Sequence, residues 1–353
     1  MRPVKKVIVF GAGGWGTALS LVLRATGRHP VLHARRPAFA AELRRERENR
    51  PYLPGVHLPE NLTVASGTPD FREAELFVLS VPTQFVRKSL TPLAATFPRS
   101  LPVVSVVKGI EVGTQKRVSE VVRDVLGRVP VCVLSGPSHA EEVARRLPTT
   151  VVAASTSHAL ARTVQRAFMT DRFRVYSHTD VKGVELGGAV KNVIAIAAGI
   201  CDGLGLGDNA KSALLSRGLV EISRLGLALG ARMTTFYGIS GLGDLVTTCY
   251  SPWGRNRSVG LAIGKGKKLS QILAEMKMVA EGVETTRSVL ALARRCRVSL
   301  PIVEEVHAVL FEDKDPRHAV ADLMGRGAKS EIEDFEPPAG KPRRVSAVHR
   351  GSK

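Results

Sequence analysis

Short runs of β-branched and other apolar residues alternate with helix-like stretches from Val7 to about Thr179. This alternation is typical of parallel strands joined by crossover helices, so it predicts an α/β sheet. From Asp180 onward, apolar residues recur at helical spacing and β-branched runs become rare, which indicates an all-helical region. The predicted strands cover residues 7–10, 31–34, 62–65, 76–80, 103–107, 131–134, 150–153 and 173–176.

The pattern divides the chain into three segments. Residues 1–179 are predicted to form a Rossmann-type, doubly wound dinucleotide-binding domain, and residues 180–336 a helical domain for substrate and catalysis. Residues 337–353 combine prolines with basic and small polar residues, so a tail without fixed structure is expected. The length of 353 residues and the apolar content of 44% fit two domains with buried cores.

A glycine fingerprint follows the first predicted strand and opens a helix. Gly11, Gly13 and Gly16 give it the spacing G-x-G-x-x-G. The first glycine makes the tight turn, the second lets a pyrophosphate approach, and the third packs the helix on the strand. The helix N-terminus offers free N–H groups to the phosphates. Because strand, glycines and helix occur together, the motif predicts a dinucleotide site rather than a structural turn.

Two arginines stand where a second feature of such sites is expected, about 20 residues after the fingerprint. An NAD-specific site carries an acid there for the ribose hydroxyls, whereas this chain has Arg35 and Arg36. A guanidinium pairs with a 2′-phosphate by bidentate bonds, although arginines at a strand end also occur as solvated surface residues. The sequence therefore predicts that NADP(H) is preferred, with NAD(H) as a possible cofactor.

One lysine lies in an unusually apolar helical segment. Residues 183–199 are small and apolar almost all round, which predicts a central buried helix that carries Lys191. Because burial disfavours the charged form, a lysine there needs a partner, a lowered pKa or a chemical task. Such an amine can give a proton to a ketone oxygen as hydride arrives. The alternative is a lysine that extends to the helix edge and keeps its ammonium in water.

A third segment combines glycines with charged residues. Residues 241–249 begin with a predicted tight turn between helices, and Asp244 in this turn is a candidate partner for Lys191. Arg255 follows shortly after and is a candidate for gripping a phosphate. Taken singly, each residue is more often a turn acid or a surface arginine.

Together these segments closely resemble bacterial NAD(P)-dependent glycerol-3-phosphate dehydrogenases, from about residue 6 to residue 326. The resemblance implies reversible reduction of dihydroxyacetone phosphate to sn-glycerol 3-phosphate, supply to glycerophospholipid synthesis, and a homodimer. Its markers are residues 11–18 (GAGGWGTA), Lys108-Gly109, residues 135–138 (SGPS), residues 187–192 (GGAVKN), residues 241–244 (GLGD) and Arg255-Asn256.

The resemblance also implies roles for individual residues. Lys191 is expected to be the proton donor and acceptor, Lys108 to contact cofactor and substrate, and Asp244 to orient the reacting group. The family often has serine where this chain has Gly254, so that position is expected to bind only through its backbone. The residues expected to bind substrate are Lys108, Gly136, Ser138, Lys191, Asn192, Asp244, Gly254, Arg255 and Asn256. The residues expected to line the cofactor are Gly11, Gly13, Gly14, Trp15, Gly16, Arg35, Arg36, Lys108, Ala140, Arg255, Val279 and Glu281.

Composition bears on partners and location. The net charge of +19 comes from residues spread along the whole chain, so it predicts affinity for small anions rather than a specific nucleic-acid site. No export signal and no uncharged apolar stretch of about 18 residues is present, so we expect a cytoplasmic protein without membrane insertion. The four cysteines are widely spaced, which favours reduced core thiols over a metal site.

Two other classes of protein fit parts of the pattern. A two-domain dehydrogenase of the β-hydroxyacid type also joins a Rossmann domain to a helical domain that carries a lysine, but the markers at residues 241–256 argue against it. A regulator that binds NADPH without turnover would need none of the reactive residues Lys191, Lys108 and Asp244.

Overall fold

A computed structural model of the chain describes residues 5–276, 278–328 and 330–331. The predicted basic tail at residues 337–353 and the last part of the predicted helical domain, residues 332–336, lie outside these ranges. Within them, a twisted eight-stranded sheet with helices on both faces is followed by a helical region. The predicted fold class, a Rossmann-type sheet and then an all-α domain, is confirmed.

The strands follow the predicted apolar runs. All eight predicted strands are present, and the order across the large sheet is β10-β9-β8-β7-β6-β1-β2-β5. A separate two-stranded sheet, β3 with β4, was not predicted. The strands are β1 Lys6–Phe10, β2 His29–His33, β3 Glu48–Asn49, β4 Leu53–His57, β5 Thr63–Ala65, β6 Ala74–Leu79, β7 Val103–Ser105, β8 Val131–Ser135, β9 Thr149–Ala154 and β10 Phe173–His178.

One strand departs from the predicted parallel arrangement. β9 runs antiparallel to β8, whereas β9 and β10 are parallel to each other and the remaining pairs of the large sheet are parallel. The connection between β8 and β9 contains only a five-residue helix, and it returns the chain beside β8 in the opposite direction. The prediction that every strand would be parallel is therefore wrong at this position.

Alternating side chains on the central strand explain why helices cover both faces. Val7 and Val9 of β1 pack into one apolar cluster, and Ile8 packs into another on the opposite face. Burial of both faces is typical of parallel strands. The helices of this region are α1 Gly14–Ala25, α2 Pro37–Glu46, α3 Val86–Leu90, α4 Val118–Leu126, α5 Ala140–Ala144 and α6 His158–Phe168.

The helical region begins immediately after the sheet. β10 ends at His178 and the next helix begins at Val181, so the predicted boundary at residues 179–180 lies between these elements. Asp180 caps that helix by accepting a hydrogen bond from the Gly183 N–H at 2.9 Å. The helices are α7 Val181–Leu204, α8 Gly207–Ala228, α9 Met233–Phe236, α10 Asp244–Tyr250, α11 Arg255–Gly264, α12 Leu269–Glu275, α13 Glu281–Cys296, α14 Pro301–Phe311 and α15 Pro316–Met324.

Helix α7 is the central element of the helical region, as its composition predicts. Glycines bring α11 into backbone contact with it: a Cβ on Gly199 would lie 2.0 Å from the Arg257 carbonyl oxygen, and one on Gly260 would lie 1.9 Å from that of Ile196. Among the described residues, α7 is the one helix long and apolar enough to cross a membrane. However, 94% of its most apolar window is buried within the protein, as in the core helix of a globular domain.

A buried ionic group holds α7 against the sheet domain. Glu185 of α7 accepts hydrogen bonds from the backbone N–H and the hydroxyl of Ser119, both at 2.7 Å, and it also pairs with Arg117. Burial raises the pKa of Glu185, although Arg117 and Ser119 partly offset this effect. Removing one partner of such a buried ionic group strongly destabilises a fold. The group therefore holds the start of α7 in a fixed position relative to α4.

Candidate active site

A cleft of about 550 Å³ opens at the carboxyl ends of the central parallel strands, between the sheet and the helical region. This edge of a doubly wound sheet is where ligands bind in such folds. Most of the predicted site residues line the cleft, and Gly16 and Gly136 lie behind its surface. The predicted residues that line it are Gly11, Gly13, Gly14, Trp15, Arg35, Arg36, Lys108, Ser138, Ala140, Lys191, Asn192, Asp244, Gly254, Arg255, Asn256, Val279 and Glu281.

The glycine fingerprint forms a cradle at the start of α1. Gly11 has a φ of 121°, and a Cβ there would lie 2.4 Å from the Ser80 carbonyl oxygen. A Cβ on Gly16 would lie 2.0 Å from the Gly11 carbonyl oxygen, so this glycine lets the helix pack on the turn. A Cβ on Gly13 would meet nothing within 4 Å. The space in front of Gly13 therefore suits a ligand, and the free N–H groups of α1 suit a pyrophosphate.

Arg35 and Arg36 come directly after β2, and both are exposed at the rim of the cleft. The guanidinium carbon of Arg36 lies 5.5 Å from the centre of the Phe39 ring. Two exposed cations at this strand end create a positive site for an anionic group of a bound ligand.

Two lysines share one buried carboxylate. Lys191 Nζ lies 3.0 Å from Asp244 Oδ1, and Lys108 Nζ lies 2.7 Å from Asp244 Oδ2. Lys108 also donates to the Gly136 carbonyl oxygen at 2.8 Å, and Lys191 donates to the Thr248 hydroxyl. The Lys191 and Asp244 side chains are only 5% and 3% exposed. The predicted pairing of Lys191 with Asp244 is therefore present, and the predicted alternative of an ammonium reaching water is not.

The charges of this group shift the pKa values of Lys191 and Asp244. Burial, reinforced by the nearby Lys108 charge and opposed by Asp244, lowers the pKa of Lys191 to about 8. Burial alone would raise the pKa of Asp244, but the ammonium groups of Lys108 and Lys191 outweigh it and hold the pKa below its usual value. An amine that titrates near neutral pH is suited to giving and taking a proton.

Glycines and a π-helical turn bring the three charged residues together. Lys108 follows β7 and packs over Gly188 of α7. The approach is close, since a Cβ on Gly188 would lie 3.6 Å from Lys108 Cγ and 2.8 Å from Ser135 Oγ. The turn Ile239–Gly243 is π-helical and delivers Asp244 as the first residue of α10. Such π turns occur often at functional sites.

The start of α11 supplies the predicted phosphate-binding pair. Arg255 is exposed to the cleft and donates to the Val279 carbonyl oxygen at 3.0 Å, while Asn256 accepts from the Gly282 N–H at 2.9 Å. A Cβ on Gly254 would lie 2.9 Å from the Thr248 carbonyl oxygen. The backbone is therefore too close for an ordinary side chain without a shift, which explains the glycine at this position.

The remaining predicted residues line the two ends of the cleft. Ser138 donates to the Gly136 carbonyl oxygen at 2.7 Å and lies 3.5 Å from Lys108 Nζ. Asn192 donates to the Lys108 carbonyl oxygen at 3.3 Å. Glu281 accepts from the Thr83 N–H at 2.9 Å, and burial raises its pKa.

Two residues near the lysines were not predicted. Thr248 is four residues after Asp244 and so shares its helix face, a spacing from which the contact with Lys191 could have been inferred. His139 lines the cleft, and burial together with the Lys191 and Lys108 charges lowers its pKa to about 4. The imidazole is therefore neutral at pH 7. Nothing in the sequence distinguishes it from an ordinary surface histidine.

No group of three or more His, Cys, Asp or Glu side chains suited to a metal ion occurs among the described residues. The four cysteines are free thiols. Cys132, Cys201 and Cys249 are buried as expected, whereas Cys296 is partly exposed.

A buried amine of lowered pKa thus stands where a Rossmann sheet ends, beside a glycine-rich turn at a helix N-terminus. This arrangement defines the class of the protein, a two-domain dehydrogenase that uses a dinucleotide. The family models agree. The N-terminal domain of NAD-dependent glycerol-3-phosphate dehydrogenase matches residues 6–161, and the C-terminal domain matches residues 180–321. The chain belongs to the NAD-dependent glycerol-3-phosphate dehydrogenase family.

Individual relatives extend the similarity over most of the chain. It is 48% identical over 329 residues to the glycerol-3-phosphate dehydrogenase (NAD(P)+) of Desulfitobacterium hafniense, covering 93% of this chain and 94% of that protein. It is 50% identical over 332 residues to one of Salinibacter ruber, covering 93% and 97%. A crystal structure of glycerol-3-phosphate dehydrogenase from Coxiella burnetii superimposes with a TM-score of 0.88 at 38% identity, covering 92% and 99%.

A solved structure of another dehydrogenase shares the fold but little of the sequence. D-mandelate dehydrogenase with NADH and anilino(oxo)acetate has a TM-score of 0.60 at 11% identity, and it covers 89% of this chain and 99% of that one. At this identity the likeness concerns the fold alone.

Proposed function

We propose that the protein catalyses the reversible reduction of dihydroxyacetone phosphate to sn-glycerol 3-phosphate with NAD(P)H. The observation that carries the proposal is the shared ion pair of Lys191, Asp244 and Lys108 at the cleft. In this group the amine of Lys191, whose pKa is lowered, lies in the same cleft as the guanidinium group of Arg255. A ketone that carries a phosphate needs both an acid at its oxygen and a cation for its anionic end. The family assignment supports the same reaction.

The chain's own side chains account for binding and proton transfer. Arg255 and Asn256 are proposed to hold the phosphate, and Lys108 to contact the substrate beside them. Asp244 holds Lys191 in place, so that the amine protonates the oxygen on C2 in reduction and retrieves that proton in oxidation. A dinucleotide bound in the cradle of Gly11 and Gly13 supplies the hydride. The sheet edge and the helical region enclose the substrate between them, which limits the access of water.

The cofactor preference is proposed to be NADP(H), with NAD(H) accepted. Arg35 and Arg36 are both exposed at the rim of the cleft, and no carboxylate follows β2 before α2 begins at Pro37. Guanidinium groups favour the 2′-phosphate, which a carboxylate at this place would repel.

A spectrophotometric assay tests the reaction. We expect NADPH oxidation at 340 nm with dihydroxyacetone phosphate. We expect far slower oxidation with dihydroxyacetone, which lacks the phosphate, or with acetoacetate, a β-keto acid that serves as the control for a β-hydroxyacid-type dehydrogenase. A non-catalytic NADPH sensor would bind NADPH without turnover of any ketone. Preferred turnover of acetoacetate, or binding of NADPH without turnover, would overturn the proposal.

Three further properties stay predictions, two of them from the family resemblance and the location from the sequence features given above. They are a homodimeric state, a cytoplasmic location, and supply of the product to glycerophospholipid synthesis. Light scattering on the purified protein tests the dimer. A gel-shift assay at physiological salt tests whether the charge of +19 retains nucleic acid, and we expect no stable complex.

A further inference from the structure

An ionic cluster outside the cleft connects several helices of the catalytic region. Asp202 accepts hydrogen bonds from Lys211 Nζ at 2.8 and 2.9 Å and from Arg257 Nε at 2.6 Å. Asp202 belongs to the last turn of α7, Lys211 to α8, and Arg257 to the first turn of α11. Lys211 Nζ also lies 4.5 Å from the centre of the Tyr250 ring at the end of α10. The Asp202 carboxylate therefore ties α7, which carries Lys191, to α11, which carries Arg255, and Lys211 connects it to α10, which carries Asp244.

The cluster is buried enough to hold its own side chains in fixed positions. The Lys211 side chain is 6% exposed, and those of Asp202 and Arg257 are 20% and 21% exposed. Exposed ion pairs contribute little because water screens them, whereas a partly buried group that satisfies several charged bonds resists rearrangement. The glycine contacts between α7 and α11 set the distance between these helices. These glycine contacts contain no polar bond. The bond from Arg257 to Asp202 therefore adds to those of Arg255 with Val279 and of Asn256 with Gly282 in orienting the start of α11.

Arg257 is separated from Arg255 by one residue on the same helical turn. Since each residue turns an α-helix by about 100°, the two side chains leave α11 in nearly opposite directions. Arg257 reaches back to Asp202, while Arg255 and Asn256 line the cleft. We propose that Asp202 is a positioning residue, which acts through Arg257 to aim Arg255 and Asn256 at the substrate phosphate. This inference rests on the proposed function for the identity of the substrate.

The variant Arg257→Met tests the role directly. It removes the tie to α11 but leaves the buried pair of Lys211 and Asp202 intact, so we expect it to fold. Because small misplacements of a binding group weaken binding strongly, we expect the KM for dihydroxyacetone phosphate to rise about tenfold. The kcat should stay within about twofold, since Lys191 is untouched. Arg257→Lys, which returns a cation to Asp202, should recover most of the loss.

Lys265→Met is the matched control, because Lys265 is an exposed cation that caps the same helix and lies outside the cluster. It should leave the KM for dihydroxyacetone phosphate unchanged. An equal rise in both variants would mean that general charge attraction is being measured, and it would overturn the positioning role. A fall in kcat without a rise in the KM for dihydroxyacetone phosphate in Arg257→Met would overturn it as well.

A double-mutant cycle shows whether the effect passes through Arg255. If Arg257 acts by aiming Arg255, adding Arg257→Met to Arg255→Ala should raise the KM for dihydroxyacetone phosphate little further. Additive effects would contradict the inference. Titration with inorganic phosphate by calorimetry gives a readout that does not need turnover, and Arg257→Met should weaken it about tenfold, as for the substrate. If the wild type failed to reduce dihydroxyacetone phosphate, the proposed function would fall, and this titration would still decide the role of Asp202.

Discussion

Replacing Lys191 by methionine removes the amine and leaves an unbranched apolar side chain that is one atom shorter. Asp244 would keep its bond to Lys108 at 2.7 Å, so the substitution leaves no buried carboxylate without a partner. A general acid contributes about 10²–10⁴-fold to a rate, which corresponds to about 2.7–5.5 kcal/mol of transition-state stabilisation. We therefore expect kcat for the reduction of dihydroxyacetone phosphate to fall by at least about 10²-fold.

The pH dependence gives a second test of the same amine. With a pKa of about 8, Lys191 is mostly protonated at pH 7 and mostly neutral at pH 9. The protonated fraction falls from about nine-tenths to about one-tenth over that range. Reduction needs the protonated form, so its kcat/KM, which reports the free enzyme, should fall about tenfold. Oxidation of sn-glycerol 3-phosphate needs the neutral form, and its kcat/KM should rise over the same range.

The assay follows NADPH in both directions from pH 6 to 10, with NADPH binding measured separately by quenching of tryptophan fluorescence. Lys182→Met on the same helix is the control, because Lys182 is exposed and bonds only to the Leu229 carbonyl oxygen in the described structure. Lys191→Met should bind NADPH as the wild type does. A kcat of Lys191→Met within about threefold of the wild type, or a wild-type kcat/KM for reduction that is flat from pH 7 to 9, would refute the assignment.

Three further predictions use other parts of the molecule. Arg35→Ser should raise the KM for NADPH about tenfold or more and change that for NADH little, because only NADPH loses a charge-assisted bond; equal losses would contradict this. Gly13→Ala should weaken NADPH binding without lowering the melting temperature, whereas Gly16→Ala should lower it, because its Cβ would lie 2.0 Å from the Gly11 carbonyl oxygen. Burial raises the pKa of Glu221 to about 7, so its contribution to stability is complete below pH 4.5 and lost as pH rises through 7. The melting temperature of Glu221→Gln relative to the wild type should therefore rise from pH 5 to pH 8, and a constant difference would show that Glu221 does not titrate there.

The sequence predicted the sheet well because burial on both faces leaves a strong apolar signal. Each of the eight strands coincides with a run of β-branched or apolar residues, and β1 with residues 7–10 is the clearest case. The pair β3 and β4 was missed because residues 48–57 mix charged residues, proline and glycine, which carry no strand pattern. The direction of β9 was also missed. Direction depends on how the chain returns after β8, and no residue pattern records it.

The candidate site, like the fold, could be predicted from the sequence only in part. Lys191, Asp244 and the glycines could be predicted because each lies in a segment whose local pattern has a chemical meaning. Their mutual distances could not, because Lys108 and Asp244 are 136 residues apart and meet only in the folded chain. The tie from Asp202 to Arg257 spans 55 residues between two helices. Each residue alone resembles an ordinary surface charge, so sequence reasoning gave it no role.

Binding of the substrate phosphate should change the pKa of Lys191, because Lys191 shares the Asp244 carboxylate with Lys108. Asp244 faces two ammonium groups, so the group as a whole is positive before substrate binds, and the charge of Lys108 helps to lower the pKa of Lys191. A dianionic phosphate held by Arg255 brings negative charge into the same cleft, and a nearby negative charge favours the protonated amine. Binding of dihydroxyacetone phosphate should therefore raise the pKa of Lys191 and keep it protonated until the C2 oxygen takes the proton. An uncharged ketone would not produce this effect, so the phosphate contributes to proton transfer as well as to binding.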